Sequence, residues 1–144
     1  MPVRTATAAD IPLLLRLERD SPTAAHWSET HYHSIFAQAA RLALIVDELG
    51  FLIAHGIDGE WEIENILVAG QARRRGLASE LMRAFLERVG GQGPELIFLE
   101  VRESNLPARA FYEKWGFEQK GRRSHYYRDP DEDALTYRLG SSPR

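Results

Sequence analysis

Cysteine is absent from the 144 residues. Disulfides, thiolate metal sites and cysteine nucleophiles are therefore excluded. No apolar run approaches the ~20 residues that cross a bilayer as a helix. The opening residues, Met1-Pro2-Val3-Arg4-Thr5, lack the apolar core of a secretory signal, so a cytoplasmic location and no membrane partner are expected. Charge of one sign is also lacking. Eighteen Lys and Arg against 21 Asp and Glu leave a formal net charge of −3, so no nucleic-acid surface is expected. Internal repeats, low-complexity tracts and linkers are missing. The histidines at 26, 31, 33, 55 and 125 form no metal constellation; His31 and His33 would point to different faces of a helix, where neighbours lie three or four apart. Ser104 and Ser124 lack a nucleophile-elbow context.

What remains is ordinary for a globular protein: 44% hydrophobic and 27% charged residues. The length suits one domain, expected over residues 1–140, with residues 141–144 as a frayed tail.

The stretch of residues 61–89 organises the chain. It opens as a buried strand, with Trp61, Ile63 and the run Ile66-Leu67-Val68. It closes as an amphipathic helix, with Leu77, Leu81, Met82, Phe85 and Val89 on one stripe. Between them lies Arg73-Arg74-Arg75-Gly76-Leu77-Ala78-Ser79. A strand-to-helix turn presents unpaired backbone N–H groups and the positive end of the helix dipole, which together suit a phosphate. Gly76 has no Cβ to hold a ligand off the backbone. The arginines add charge-assisted donors. A solvated basic turn capping a helix is the plainer alternative.

This stretch resembles the acetyl-CoA-binding segment of the GNAT superfamily of N-acetyltransferases. The resemblance implies that Arg73, Arg74, Arg75, Gly76, Leu77, Ala78 and Ser79 hold the coenzyme A pyrophosphate. It also implies that the backbone of Ile66, Leu67 and Val68 holds the acetyl and pantetheine amides.

Turn and cap signals order the other elements. A first strand is expected over residues 3–7, with Thr7 and Asp10 arranged to cap a helix running to about residue 20. Ser28 suits the cap of a second helix over 29–39, burying Tyr32, Ile35 and Phe36. Strands are expected at 42–47 and 51–57 around a turn at 48–50. Asp58-Gly59 is a hairpin signal leading into the Trp61 strand. Residues 90–94 read as a loop and 95–101 as the next strand. A helix over 106–115 ends at Gly116, where a left-handed cap fits. Strands at 117–127 and 134–139 flank the turn at 129–131. The order β-α-α-β-β-β-α-β-α-β-β is an α/β chain with a mixed sheet, because hairpins and crossover helices both occur. It resembles the GNAT order over essentially the whole length. In that family the strands ending at Val68 and Val101 run parallel and splay apart, admitting the coenzyme arm and the acceptor from opposite sides.

Acetyl transfer needs a base to neutralise the amine, donors for the thioester oxygen and an acid for the departing sulfur. The candidates lie in Leu99-Glu100-Val101-Arg102-Glu103-Ser104-Asn105 and in Tyr112-Glu113-Lys114-Trp115-Gly116-Phe117. These segments resemble the ribosomal-protein-alanine N-acetyltransferases of RimI type. The likeness implies Glu100 as base, Tyr112 as acid and Asn105 on the pantetheine arm. By the residues alone, Glu100 could instead be a wet-face carboxylate or pair with Arg102 or Arg109, and Tyr112 could be core packing. Tyr126-Tyr127 ahead of Asp133-Ala134 resembles the protein N-terminal acetyltransferases, implying that Tyr126 and Tyr127 help fix the acceptor's first residues. A plain hairpin with aromatic and basic faces is the alternative. Trp27, in His26-Trp27-Ser28-Glu29, resembles a segment bordering the peptide site, with His26 a departure from the usual proline. Asp58, Glu60, Glu62 and Glu64 alternate, which reads as a solvated face or as an attraction for a basic peptide.

The resemblance therefore implies acetyl-CoA as co-substrate, no metal, and a protein N-terminus as partner, plausibly the alanine of a small-subunit ribosomal protein. The alternatives are a small amine such as a polyamine, amino acid or aminoglycoside, a protein lysine, or an acyl-CoA-binding module without turnover.

Overall fold

The structure, a computed structural model, describes residues 3–21, 27–72, 75–90, 96–128 and 130–140. Its elements are β1 (Val3–Thr5), α1 (Ile11–Arg19), α2 (Glu29–Phe36), β2 (Arg41–Val46), β3 (Gly50–Ile57), β4 (Glu60–Val68), α3 (Leu77–Gly90), β5 (Leu96–Arg102), α4 (Leu106–Lys114), β6 (Glu118–Tyr127) and β7 (Glu132–Gly140). This is the order expected from the sequence. Single 3-10 turns lead into α1 and follow β4. The loop expected at 90–94 lies largely outside the described residues, as do Asp129 and the tail at 141–144.

Local signals set the boundaries. β1 ends at Thr5 rather than residue 7, because Thr7 leaves the ladder to act as a cap. Its hydroxyl accepts from the Ala9 N–H, and Asp10 accepts from the Thr7 N–H at 2.9 Å. The Ser28 hydroxyl accepts from the His31 N–H at 3.0 Å and starts α2. That helix stops at Phe36, short of residue 39, and Phe36 is half-buried rather than buried. Asp58 and Gly59 both hold positive φ, +52° and +82°, as a tight hairpin turn requires.

The strands form one seven-stranded sheet in the order β1-β2-β3-β4-β5-β7-β6. All pairs are antiparallel except β4 and β5. One face carries α3 and α4 over Leu52, Ala54, Trp61, Ile63, Leu99 and Tyr137. The other carries α1 and α2 over Ile45, Phe51, Ile53 and Leu67. No described helix is long and apolar enough to cross a membrane.

Two irregularities shape the centre of the sheet. First, the β4–β5 register runs from Glu60↔Leu96 to Ile63↔Leu99 and stops, although β4 continues to Val68 and β5 to Arg102. Second, Ile53 faces Asn65 while Ala54 faces Ile63, so Glu64 is an extra residue, a β-bulge. Before the bulge Trp61 and Ile63 pack toward α3. After it Leu67 packs toward α1 and α2, while Ile66 and Val68 lie against the α3 side.

Candidate active site

The unpaired halves of β4 and β5 bound an opening through the sheet. Backbone amide and carbonyl groups alternate between the two edges of a strand. One edge of Ile66, Leu67 and Val68 is taken by Leu52, Phe51 and Gly50 of β3, and the other faces the opening.

Below the opening, on the α3 side, is the strand-to-helix turn. Gly76 has φ +78°, and a Cβ there would point into open space, so the turn leaves room against bare backbone. Leu77 is buried in the core, which leaves its backbone N–H, rather than its side chain, to meet a ligand. Ala78 and Ser79 are half-buried in the first turn of α3. The Arg75 side chain lies 3.3 Å from Asp47 at the β2–β3 turn. Arg73 and Arg74 lie outside the described residues. A turn with open space over a glycine, at the start of a 14-residue helix, fits a pyrophosphate.

Tyr112 also belongs to this side. It is 6% exposed, on the buried face of α4, with the rings of Phe111, Phe117 and Tyr137 around it. Burial, and secondarily the neighbouring Tyr127, push its hydroxyl well above the usual tyrosine range, so it stays protonated. Asn105 caps α4, its Oδ1 accepting from the Ala108 N–H at 3.3 Å. The cap uses the oxygen and not the amide nitrogen.

Glu100 is on the opposite face. On β5, Ile97, Leu99 and Val101 pack toward α3 and α4, so Phe98, Glu100 and Arg102 face the other way. The Glu100 side chain is 15% exposed and pairs with Arg123 at 3.2 Å. Neither partner weighed from the sequence takes this place. Arg102 reaches the Arg128 and Pro130 carbonyls and Glu132, tying down the β6–β7 hairpin. Arg109 donates to the Glu103 carbonyl and the Tyr137 hydroxyl. Arg123 lies under the ring of Tyr126, 5.0 Å from its centroid, and is itself more than half exposed.

Tyr126 and Tyr127 both border Glu100. Strict alternation would send neighbours to opposite faces, but the β6–β7 register shifts between Arg123 and Tyr127, and His125 adopts φ +54°. Burial first, then the Glu100 charge, raises both phenols, and Tyr127 is pushed up to about 12. Arg102 stacks on Tyr127 at 4.4 Å.

Trp27 is half-buried on this same side, its ring against His31 and Tyr32. Buried Glu18 accepts from the Trp27 N–H at 2.9 Å and from the Tyr32 hydroxyl, and so fixes where Trp27 sits. His26 lies outside the described residues.

The alternating acidic residues are not one solvated face. Asp58 and Glu60 are exposed, but Glu64 occupies the bulge and pairs with Arg41. Glu62 is half-buried, and burial, then Glu100, raise its pKa. With Asp58, Glu60, His55 and Phe98 it lines a cleft of about 290 Å³. A larger cleft, about 600 Å³, lies around Gly56, Gly59 and Arg88, at the opposite end of β4 from the opening.

Sequence reasoning missed Arg123 and Asn65, and it named Glu62 only as one of an alternating acidic row. Arg123 and Glu62 are brought to Glu100 by strand register alone. Asn65 did carry a signal: a carboxamide inside an otherwise apolar strand end.

An opening between parallel strands, a glycine turn at a helix start on one side and a carboxylate on the other suit an acyltransferase. The chain belongs to the acetyltransferase (GNAT) family, whose family model matches residues 11–117. This family uses acetyl-CoA. The "[Ribosomal protein bS18]-alanine N-acetyltransferase" of Salmonella typhimurium is 31% identical over 124 residues, covering 84% of this chain and 83% of the relative. The structure of the ribosomal-protein-S18-alanine N-acetyltransferase from Escherichia coli superposes with a TM-score of 0.85 at 28% identity, covering 99% of this chain and 95% of that one. Ard1 from Thermoplasma volcanium superposes with a TM-score of 0.87 at 25% identity, covering 99% and 98%.

Proposed function

We propose that residues 1–140 form one catalytic unit that acetylates the N-terminal α-amine of a protein, the acceptor being the alanine of a small-subunit ribosomal protein. What supports this acceptor class is the hairpin beside Glu100: Tyr126 is 47% exposed at the rim, within reach of the Glu100 and Glu62 charges. The relatives named for ribosomal protein S18 alanine support the same reading.

The proposed steps are these. Gly76 to Ser79, with Arg73 to Arg75, hold the pyrophosphate at the start of α3. The free edge of Ile66 to Val68 and the Asn105 amide align the pantetheine arm in the opening. The acceptor enters from the Glu100 face, between Trp27, Tyr126 and Tyr127. Glu100 takes the amine proton, directly or through a water. An α-amine of pKa about 7.7–8.0 asks little of that base. The nitrogen attacks the thioester carbon, backbone N–H groups of β4 stabilise the developing oxyanion, and the C–S bond breaks. Tyr112 gives its proton to the leaving sulfur.

The test is a peptide with free N-terminal alanine, a following basic residue and one internal lysine, incubated with acetyl-CoA and mapped by mass spectrometry. Acetyl on the α-nitrogen supports the reading. Acetyl on the lysine, or turnover of spermidine alone, replaces the acceptor class and keeps the chemistry.

A further inference from the structure

Asn65 is 8% exposed, and its Nδ2 is the buried side-chain polar atom without a hydrogen-bond partner among the described residues. Leaving a buried amide unsatisfied is costly. The bulge at Glu64 decides where this amide points. Asn65 stands opposite Ile53, and Ile53 belongs to the α1–α2 face, as do Phe51 and its opposite residue Leu67. Without the extra residue, the Trp61 and Ile63 pattern would turn position 65 toward α3. Asn65 therefore lies on the face of Glu62 and Glu100, in the unpaired half of β4, at the edge of the opening.

We propose that Asn65 is a specificity-determining donor, whose Nδ2 hydrogen-bonds the first carbonyl oxygen of the acceptor while the adjacent amine faces Glu100. The inference rests on the peptide reading above and deepens it: the acceptor must be an amine with an amide carbonyl one carbon away. A polyamine has no such oxygen and would leave the donor unsatisfied. The bond forms only when the acceptor is bound, which accounts for the group having no partner among the described residues.

The experiment compares two acceptors with two enzymes. One acceptor is the alanine-initiated peptide; the other is the same peptide with its first amide carbonyl reduced to methylene. The enzymes are wild type and Asn65→Leu, which matches the side chain in size and removes the donor. Each ratio is taken within one acceptor, so the altered basicity of the reduced peptide cancels. The expected result is a loss of kcat/KM of about tenfold on the normal peptide and none on the reduced one. Thermal stability is expected to hold or rise, because the leucine removes a buried donor that has no partner among the described residues, and acetyl-CoA affinity is expected to hold. An equal loss on both peptides, or no loss on either, overturns the proposal. Asn65→Ala, read by the same ratio, serves if the leucine variant does not fold. Wild-type enzyme that acetylates spermidine but neither peptide overturns the peptide reading as well; intact peptide turnover with equal ratios overturns the Asn65 assignment alone.

Discussion

Glu62 carries an electrostatic cost that shows in stability. It is half-buried, and burial first, then the Glu100 charge, raise its pKa above the ordinary 4.5, against Arg41 and Arg123, which lower it. Between 4.5 and the raised value the folded state holds more protons than the unfolded one, so stability falls as pH rises through that window. Above it the penalty stays. Glu62→Gln should therefore raise Tm at pH 7, and the gain should fade as pH falls toward 4.5, measured by thermal melts across pH. A gain independent of pH would mean that packing rather than charge is responsible. Asn105 gives a second residue-scale outcome. Its carboxamide caps α4, so Asn105→Ala should cost about 1 kcal/mol in denaturant unfolding. If Asn105 also meets the pantetheine arm, the KM for acetyl-CoA rises with it; a rise in KM for the acceptor alone would contradict that placement.

At the scale of elements, the turn between β4 and α3 is the piece with the clearest test. Gly76 holds φ +78° over open space. Gly76→Asp places a carboxylate where the pyrophosphate would lie and should weaken acetyl-CoA binding at least about tenfold by calorimetry. Gly76→Asn tolerates the same left-handed backbone without the charge, so a smaller effect there separates repulsion from strain. Element signals of this kind were legible in the sequence because they are local. The Thr7 and Asp10 cap, the Ser28 cap, the Asp58-Gly59 turn and Gly116 at φ +97° each follow from one or two residues. The bulges were not legible. In Trp61-Glu62-Ile63-Glu64-Asn65-Ile66 the polar–apolar alternation breaks only at the adjacent pair Glu64-Asn65, and two polar neighbours in a row do not say which residue is looped out, so the acidic residues read as one face. The β2–β3 turn was displaced for a related reason. Asp47 and Glu48 hold φ +54° and +56° without glycine or asparagine to announce it, and Arg75 and Arg4 bind their carboxylates.

For the whole molecule, the sheet is a partition with one opening. Tyr112 and the strand-to-helix turn are on the α3–α4 side; Glu100, Arg123, Tyr126 and Trp27 are on the other. Glu100 and Tyr112 could be named from sequence by family likeness, but their separation across the sheet follows only from the fold. The α-amine reading adds a pH consequence: kcat/KM for an N-terminal peptide should climb to about pH 8 and then level, whereas a lysine acceptor would keep climbing toward ~10.4. The proposed division of base and acid is tested most directly by initial rates of thiol release from acetyl-CoA with the alanine peptide, for wild type, Glu100→Gln and Tyr112→Phe. The account predicts kcat losses on the order of 10²-fold or more for each, with acetyl-CoA affinity little changed. Rates equal to wild type in both variants would contradict it.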